Sequence, residues 1–178
     1  EKRSEGYQTK VLYKSIKESV KRRLMSDVPL GAYVSGGIDS GTIVAMMNKL
    51  TDKPVETFTV GFGLTEHQDE LKYAKVIANH FNTNHHEIIV EPKAIDVLPH
   101  IIWHADEPMC DPTSIPTYYL SQRAKKYVSV VLTGEGADET LAGYSQYKMM
   151  KLHDQYIKYL PNIFRNSIAL AVKKTPKK

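Results

Sequence analysis

The stretch that decides the fold is YVSGGIDSG, residues 33–41, which follows an apolar run and precedes a helical pattern. A strand, a glycine turn and a helix in succession often bind phosphate, because the first turn of a helix offers free N–H groups and a positive dipole end. The loop nevertheless carries an acid, Asp39, and no lysine. Its chemistry must therefore explain how a carboxylate can lie beside an anion.

Two better-known phosphate loops do not fit this chain. A Walker loop requires G-x-x-x-x-G-K-[ST], and the stretch that starts at Gly31 has Gly37 in the lysine position. The dinucleotide fingerprint G-x-G-x-x-G is nearly matched from Gly134, but Glu139 replaces the third glycine, which permits close packing of helix and strand. Both interpretations are therefore excluded.

Magnesium resolves the conflict that Asp39 raises. Gly36 and Gly37 allow the backbone to approach phosphate oxygens closely, and the hydroxyls of Ser35 and Ser40 can donate further hydrogen bonds. Mg²⁺ prefers oxygen ligands and commonly joins one or two carboxylates to substrate phosphates. We therefore expect Asp39 to bind the metal rather than the phosphate.

Apolar patterning predicts an alternation of strands and helices, which implies parallel strands with helical crossovers. We therefore expect an α/β fold, a doubly wound parallel sheet with helices on both faces. The predicted strands are residues 30–34, 55–62, 85–90 and 128–132; the predicted helices are 10–24, 38–50, 69–81, 94–104 and 116–127, with further helices after the TGEGADE turn and after residue 147.

A second carboxylate for the metal is expected from LTGEGADE, residues 132–139, which repeats the order of strand, glycine turn and helix. In a doubly wound sheet both turns lie at the carboxyl edge, where ligands bind. Asp138 is then predicted to meet Asp39 across the metal, and Glu135 is left for the substrate. Each aspartate alone would fit a helix cap or a first-turn position, but the pair beside two glycine turns favours the metal site.

These motifs resemble a known family. SGGIDS resembles the pyrophosphate-binding loop of the N-type ATP pyrophosphatases. The longer stretches RLMSDVPLGAYVSGGIDS (residues 23–40) and VVLTGEGADETLAGY (130–144) resemble the synthetase domain of the glutamine-dependent asparagine synthetases. VGF at residues 60–62 and DEPMCDPTSIPTYYLS at 106–121 fit the same family. The resemblance implies a Rossmann-like fold of the adenine nucleotide alpha hydrolase type.

The resemblance also implies a reaction, with ATP and Mg²⁺ as its cofactors. The aspartate side-chain carboxylate is activated as an acyl-adenylate, and ammonia attacks it to give asparagine, AMP and pyrophosphate. The implied catalytic residues are Glu135, Asp39 and Asp138, and the two aspartates are the implied metal ligands. The residues implied to bind pyrophosphate or to line the nucleotide are Val34, Ser35, Gly36, Gly37, Asp39, Ser40, Val60, Thr133 and Gly134.

The chain departs from the family pattern at both ends. The glutaminase domain of the family begins with a catalytic cysteine, whereas this chain begins with Glu1, and Cys110 is internal. The family also continues beyond the GEGADE turn with helices that carry a catalytic lysine. Residues 1–178 are therefore expected to be a single synthetase domain and a fragment. The expected partners are ATP, aspartate and ammonia from a glutaminase domain, with a homodimer or contact with the missing domains left open.

Composition sets the remaining limits. The chain has 178 residues, 42% hydrophobic and 25% charged, as is ordinary for a soluble globular protein. No apolar run approaches the roughly 20 residues of a membrane span, and the N-terminus lacks the apolar core of a signal peptide, so we expect a cytoplasmic protein that does not bind membranes. The net charge of +4 is mild and dispersed, so nucleic acid is not an expected partner.

Several alternatives stay open. The chain could bind nucleotide without turnover, or belong to a related β-lactam-forming, peptide-modifying or tRNA-modifying enzyme. The last of these should show paired cysteines or a basic RNA-binding arm, and this sequence has neither. His100 and His104, near Asp106 and Cys110, could form a zinc site. Trp103 is expected to lie in the core.

Overall fold

The computed structural model describes residues 4–62, 68–90, 92–108, 111–161 and 165. Contacts divide the chain into two compact units, Glu1–Glu135 and Gly136–Lys178, which are described separately. No helix in the described ranges is both long enough and apolar enough to cross a membrane.

The strands of the first unit form one parallel sheet in the order β3-β2-β1-β4. This sheet confirms the predicted α/β fold. The strands are β1 (Leu30–Tyr33), β2 (Glu56–Gly61), β3 (Asn84–Ile89) and β4 (Val130–Leu132). The helices of this unit are α1 (Glu5–Arg23), α2 (Ile38–Leu50), α3 (Gln68–His80), α4 (Leu98–Ala105) and α5 (Ser114–Ala124), with a 3-10 helix at Pro92–Val97 before α4.

Successive residues of the strands enter two separate cores, because side chains alternate between the faces of a sheet. Ala32 packs with α1, α2 and α3 on one face, whereas its neighbour Tyr33 packs beside Phe58 and α5 on the other. Helices therefore cover both faces, as predicted. The first core contains Val20, Ala32, Val34, Val44, Met46, Met47, Val55, Ala74 and Leu132, and the second contains Phe58, Leu120, Ala124 and Val128.

The strand order creates a switch point between β1 and β4. The chain moves outward from β1 to β2 and β3, and then returns across the sheet to place β4 on the other side of β1. Because crossover connections are right-handed, this reversal moves the connecting helix α5 to the opposite face. Open α/β sheets bind ligands in the crevice outside the carboxyl ends of the strands at such a point.

Three details differ from the sequence predictions. Helix α1 begins at Glu5 rather than at residue 10, because the Ser4 side chain accepts a hydrogen bond from the Tyr7 backbone N–H and caps the helix. The helix predicted over 94–104 is a 3-10 helix followed by α4, which has proline in its first turn. The expected burial of Trp103 is wrong: its side chain is 72% exposed.

The second unit contains two helices in its described residues, α6 (Ala137–Leu141) and α7 (Ser145–Tyr159). Gly136 and Ala142 adopt left-handed conformations at either end of α6. The Tyr144 hydroxyl donates to Glu139 Oε1 at 2.6 Å, and this bond raises the pKa of Tyr144 to about 12. The helix predicted after residue 147 is thus present and begins slightly earlier.

Candidate functional site

The glycine loop after β1 requires glycine at its first position. Gly36 has a φ of 83°, a conformation that side-chain-bearing residues rarely adopt. A Cβ at this position would lie 2.5 Å from Tyr73 Cβ and 2.9 Å from the Ala74 backbone nitrogen. The loop therefore packs directly on the backbone of α3.

A buried serine hydroxyl fixes the shape of the same loop. Ser40 is only 8% exposed, and its Oγ accepts from the Ser35 backbone N–H at 3.2 Å. It also lies 3.1 Å from Ser35 Oγ and donates to the Gly37 carbonyl at 3.3 Å. These three contacts fix the shape of the loop.

The amino end of α2 is open for an anion. Its N-cap residue, Gly37, is extended, and no side chain within the described residues caps this helix. The N–H groups of the first turn therefore keep their hydrogen-bonding capacity for a ligand. Asp39 is the second residue of α2 and is partly exposed. The carboxylate thus lies at the end of the helix that would bind phosphate.

The turn after β4 packs against this first turn of α2. A Cβ on Gly134 would lie 2.7 Å from the Ser40 backbone nitrogen, 2.9 Å from Asp39 C and 3.1 Å from Asp39 Cβ. Only glycine permits so close an approach. The structure thereby places the two glycine turns side by side at the switch point, and it brings Thr133 and Glu135 to the neighbourhood of Asp39.

Two other predicted residues extend this carboxyl edge. Val34 follows β1, is 2% exposed, and donates its backbone N–H to the Phe58 carbonyl at 2.9 Å. Val60 lies near the end of β2, paired with Ile88. Both positions place backbone groups at the carboxyl ends of strands, where a nucleotide could lie.

The second predicted metal ligand lies in the other unit. Asp138 is the second residue of α6, the position that Asp39 occupies in α2. Gly143 packs directly against Asp138, since a Cβ on Gly143 would overlap the Asp138 carboxylate. That Asp138 and Asp39 bind the same metal ion stays a prediction.

The alternative zinc site finds no support in the described residues. They contain no group of three His, Cys, Asp or Glu that could bind a metal. The rings of His100 and His104 lie edge to face, 4.4 Å apart, and Cys110 is outside the described ranges.

Glu135 is exposed and lines two cavities of the first unit. One, of ≈ 510 Å³, lies between α1 and β4 and includes Arg23 and Thr133. The other, of ≈ 490 Å³, lies between α4 and α5. Its lining residues are Ile101, His104, Ala105, Asp111, Thr113, Ser114, Thr117, Tyr118, Ser121 and Glu135.

The cavity between α4 and α5 was not among the predicted sites. Its hydroxyl and acidic residues are visible in the sequence as DPTS, residues 111–114, at the start of a helix. Asp111 accepts from the Thr113 backbone N–H at 2.9 Å and from Thr113 Oγ1 at 2.8 Å. These bonds lower the pKa of Asp111, so its exposed carboxylate is charged at neutral pH and fixed in position.

Two adjacent histidines, His85 and His86, lie on β3, the outer strand of the sheet on the side away from β4. His85 Nδ1 lies 3.0 Å from Thr57 Oγ1, whereas His86 Nε2 lies 2.7 Å from Glu56 Oε2 and its ring stacks on Phe58. The two side chains contact different partners and do not form a shared metal site. Both lie near the amino end of β3, away from the glycine turns.

Comparisons with known proteins match nearly the whole length of the chain. The family model described as asparagine synthase matches residues 12–178. The chain is 38% identical over 162 residues to a putative glutamine-hydrolysing asparagine synthetase of Methanocaldococcus jannaschii, covering 88% of this chain and 29% of that protein. It is 40% identical over 137 residues to asparagine synthetase 1 of Bacillus subtilis, covering 75% of this chain and 21% of that protein.

Asparagine synthetase B of Escherichia coli is 33% identical over 172 residues, covering 84% of this chain and 30% of that protein. The chain thus spans less than a third of the length of these relatives. Among solved structures, the NH3-dependent NAD synthetase of Campylobacter jejuni matches with a TM-score of 0.51 at 16% identity, over 76% of this chain and 60% of that one. This likeness shows a shared fold. Because the family model matches nearly every residue, including both glycine turns, the chain belongs to the asparagine synthase family.

Proposed function

We propose that this chain is the ATP-binding part of a carbon–nitrogen ligase that converts aspartate to asparagine. In this proposal ATP activates the aspartate side-chain carboxylate as an acyl-adenylate with release of pyrophosphate. Ammonia then attacks the acyl carbon, and AMP leaves. The observation that carries the proposal is the packing of Gly134 on the first turn of α2, beside Ser40 and Asp39.

The pyrophosphate portion of ATP would lie on the amino end of α2. The uncapped N–H groups of this turn would supply donors for phosphate oxygens. The exposed Ser35 hydroxyl would add another by turning from Ser40 Oγ to the phosphate. Because Ser40 already holds the loop in shape, little reorganisation is required when charge develops on the leaving group. Val34, Val60 and Thr133 would line the rest of the nucleotide.

Asp39 and Asp138 would bind magnesium between them and the phosphates. Both carboxylates occupy the second position of a helix that follows a glycine turn. Asp138 is only four positions after Gly134, and four extended residues span at most about 14 Å. The chain length is therefore compatible with convergence of the two acids. Magnesium, when bound, would offset the negative charge on the leaving pyrophosphate.

The acid substrate would enter by the cavity between α4 and α5. Glu135 lines this cavity and is the residue next to Gly134 at the nucleotide edge. An acid in the cavity can therefore approach the phosphates without crossing the sheet. We assign Glu135 to the acyl-transfer step, where it would orient the acid or the incoming amine.

The source of ammonia lies outside these residues. The relatives from Bacillus subtilis and Escherichia coli are named as glutamine-hydrolysing enzymes. We therefore propose that ammonia comes from a glutaminase domain of the same longer protein, and that residues 1–178 supply one synthetase domain to it.

Exchange of labelled pyrophosphate into ATP tests the proposal. The longer protein that contains this chain should catalyse exchange only with magnesium and a suitable acid, and aspartate should be active. Asp27→Asn, an exposed acid in the loop before β1, should leave the exchange unchanged. An absence of exchange with aspartate, glutamate, succinate and other acids would instead favour a nucleotide-binding module without turnover.

A further inference from the structure

We propose that the outward face of the first half of α1 docks on an acidic surface elsewhere in the longer protein that contains residues 1–178. This docking face consists of Tyr7, Lys10, Val11 and Lys14, which share one side of the helix because they are spaced i, i+3, i+4 and i+7. The inference goes beyond the proposed function. It concerns the assembly of the longer protein and does not require its catalytic activity.

The first half of α1 is exposed along its whole length. Every residue in the range 4–15 is exposed, whereas Ile16 and Val20, on the side of the helix opposite the docking face, pack into the first core. Tyr7 and Val11 are 48% and 44% exposed. Short helices are marginally stable in water by themselves, because tertiary packing supplies most of their stability. The first half of α1 therefore requires a contact that the described residues do not provide.

The docking face is basic. Lys10 and Lys14 lie one helical turn apart, and among the described residues no carboxylate forms an ion pair with either of them. Like charges at this spacing destabilise a helix, so an acidic partner would remove a repulsion as well as add an attraction. Val11 lies beside the two lysines and offers an apolar contact. The face therefore fits a surface that combines carboxylates with apolar side chains.

The partner is expected in the same longer protein. This chain spans less than a third of the length of its relatives, and the family match begins at residue 12, after the first two turns of α1. A partner surface in the same molecule is present at a high effective concentration. A second copy of this face is a poor partner, because a two-fold axis would bring Lys10 and Lys14 against the same lysines.

A photoreactive amino acid in place of Val11 in the longer protein tests the docking directly. Its main crosslink, identified by mass spectrometry, should join position 11 to an acidic segment outside residues 1–178 of the same molecule. The same probe in place of Val76, an exposed valine on α3, is the matched control and should not reach that segment. A main crosslink to a second molecule, to a segment without acids, to residues 1–178 or to no segment would overturn the inference, as would an equal yield from position 76.

Lys10→Glu tests the charge of the docking face. The substitution should not weaken α1 itself, because it places a glutamate four residues before Lys14, the favourable order for an ion pair in a helix. Loss of docking should nevertheless speed amide hydrogen exchange over residues 8–14 about fivefold, the upper range for an exposed ion pair, and lower the crosslink yield from position 11. Lys72→Glu makes the same change in charge on an exposed position of α3 and should have neither effect.

Unchanged or slower exchange in Lys10→Glu would overturn the inference. Neither experiment measures pyrophosphate exchange, so a failure of the proposed function would leave both results as they are.

Discussion

Gly134 and Ser40 approach each other so closely that a Cβ on Gly134 would lie 2.7 Å from the Ser40 backbone nitrogen. The two residues are 94 positions apart in the sequence, and each belongs to a glycine turn that follows a strand. Since β1 and β4 are neighbours in the sheet, their turns meet at the switch point. This contact brings the two glycine turns together at the candidate site.

Replacement of Gly134 by alanine should disturb this contact. The new methyl group would overlap backbone atoms of Ser40 and Asp39, which cannot move without displacing the first turn of α2. We expect a loss of about 1–3 kcal/mol in the free energy of unfolding, typical of overpacking, together with weaker ATP binding. Urea unfolding and titration calorimetry measure the two effects.

Gly6→Ala is the control for that substitution, because no atom lies within 4 Å of a Cβ at position 6 of α1. It should stabilise the helix by about 0.4–1 kcal/mol and leave ATP binding unchanged. If Gly134→Ala lowered neither the free energy of unfolding nor the affinity for ATP relative to Gly6→Ala, the close packing of the two turns would be contradicted.

Ser40→Ala should loosen the loop after β1. The substitution removes the acceptor for the Ser35 N–H and the donor to the Gly37 carbonyl, and both hydrogen bonds are partly buried. We expect a loss of about 1–3 kcal/mol in stability and a lower affinity for ATP. Thr9→Ala removes a hydroxyl that donates to a carbonyl of its own exposed helix, and should have little effect on either measurement. Equal effects of the two substitutions would argue against a special role of Ser40.

The pH dependence of stability should report on His85. Burial lowers the pKa of His85, an effect to which His86 and Lys75 add and which Glu87 opposes. As the pH falls below about 6.5, the unfolded chain takes up this proton before the folded protein does, so the free energy of unfolding decreases. His85→Gln should reduce the decrease measured between pH 7.5 and 5.5. An equal decrease in the free energy of unfolding between pH 7.5 and 5.5 in the unmodified protein and in His85→Gln would contradict this prediction. So would an NMR titration that places the pKa of the His85 imidazole above 6.5.

Much of the sheet was predictable because buried parallel strands appear as short apolar runs between glycine turns and helices. The strand order was not, since apolar runs such as residues 30–34 do not specify which strands are neighbours. The early start of α1 was missed because Ser4 is followed by polar residues and a glycine, so no apolar pattern marks that turn. Trp103 was misplaced because the adjacent isoleucines suggested a buried helix, whereas its side chain projects into solvent.

The site was predictable only in part. The glycine loop after β1 is local, so SGGIDS at residues 35–40 predicts its position directly. The packing of Gly134 on α2 depends on which backbones meet in the fold, and a glycine alone does not specify its neighbour. The cavity that includes Asp111 is formed by the packing of α4 on α5 and has no pattern along the chain that marks it.

Calorimetric titration of ATP with and without magnesium tests the central claim, that Asp39 and Asp138 bind one metal ion beside the phosphates. Asp39→Asn and Asp138→Asn should each weaken magnesium-dependent ATP binding about tenfold or more, and the double variant should lose less than the sum of both effects. Without magnesium, neither variant should bind ATP more weakly, since each removes a negative charge. An unchanged affinity in either single variant, or full additivity in the double variant, would contradict the shared metal site.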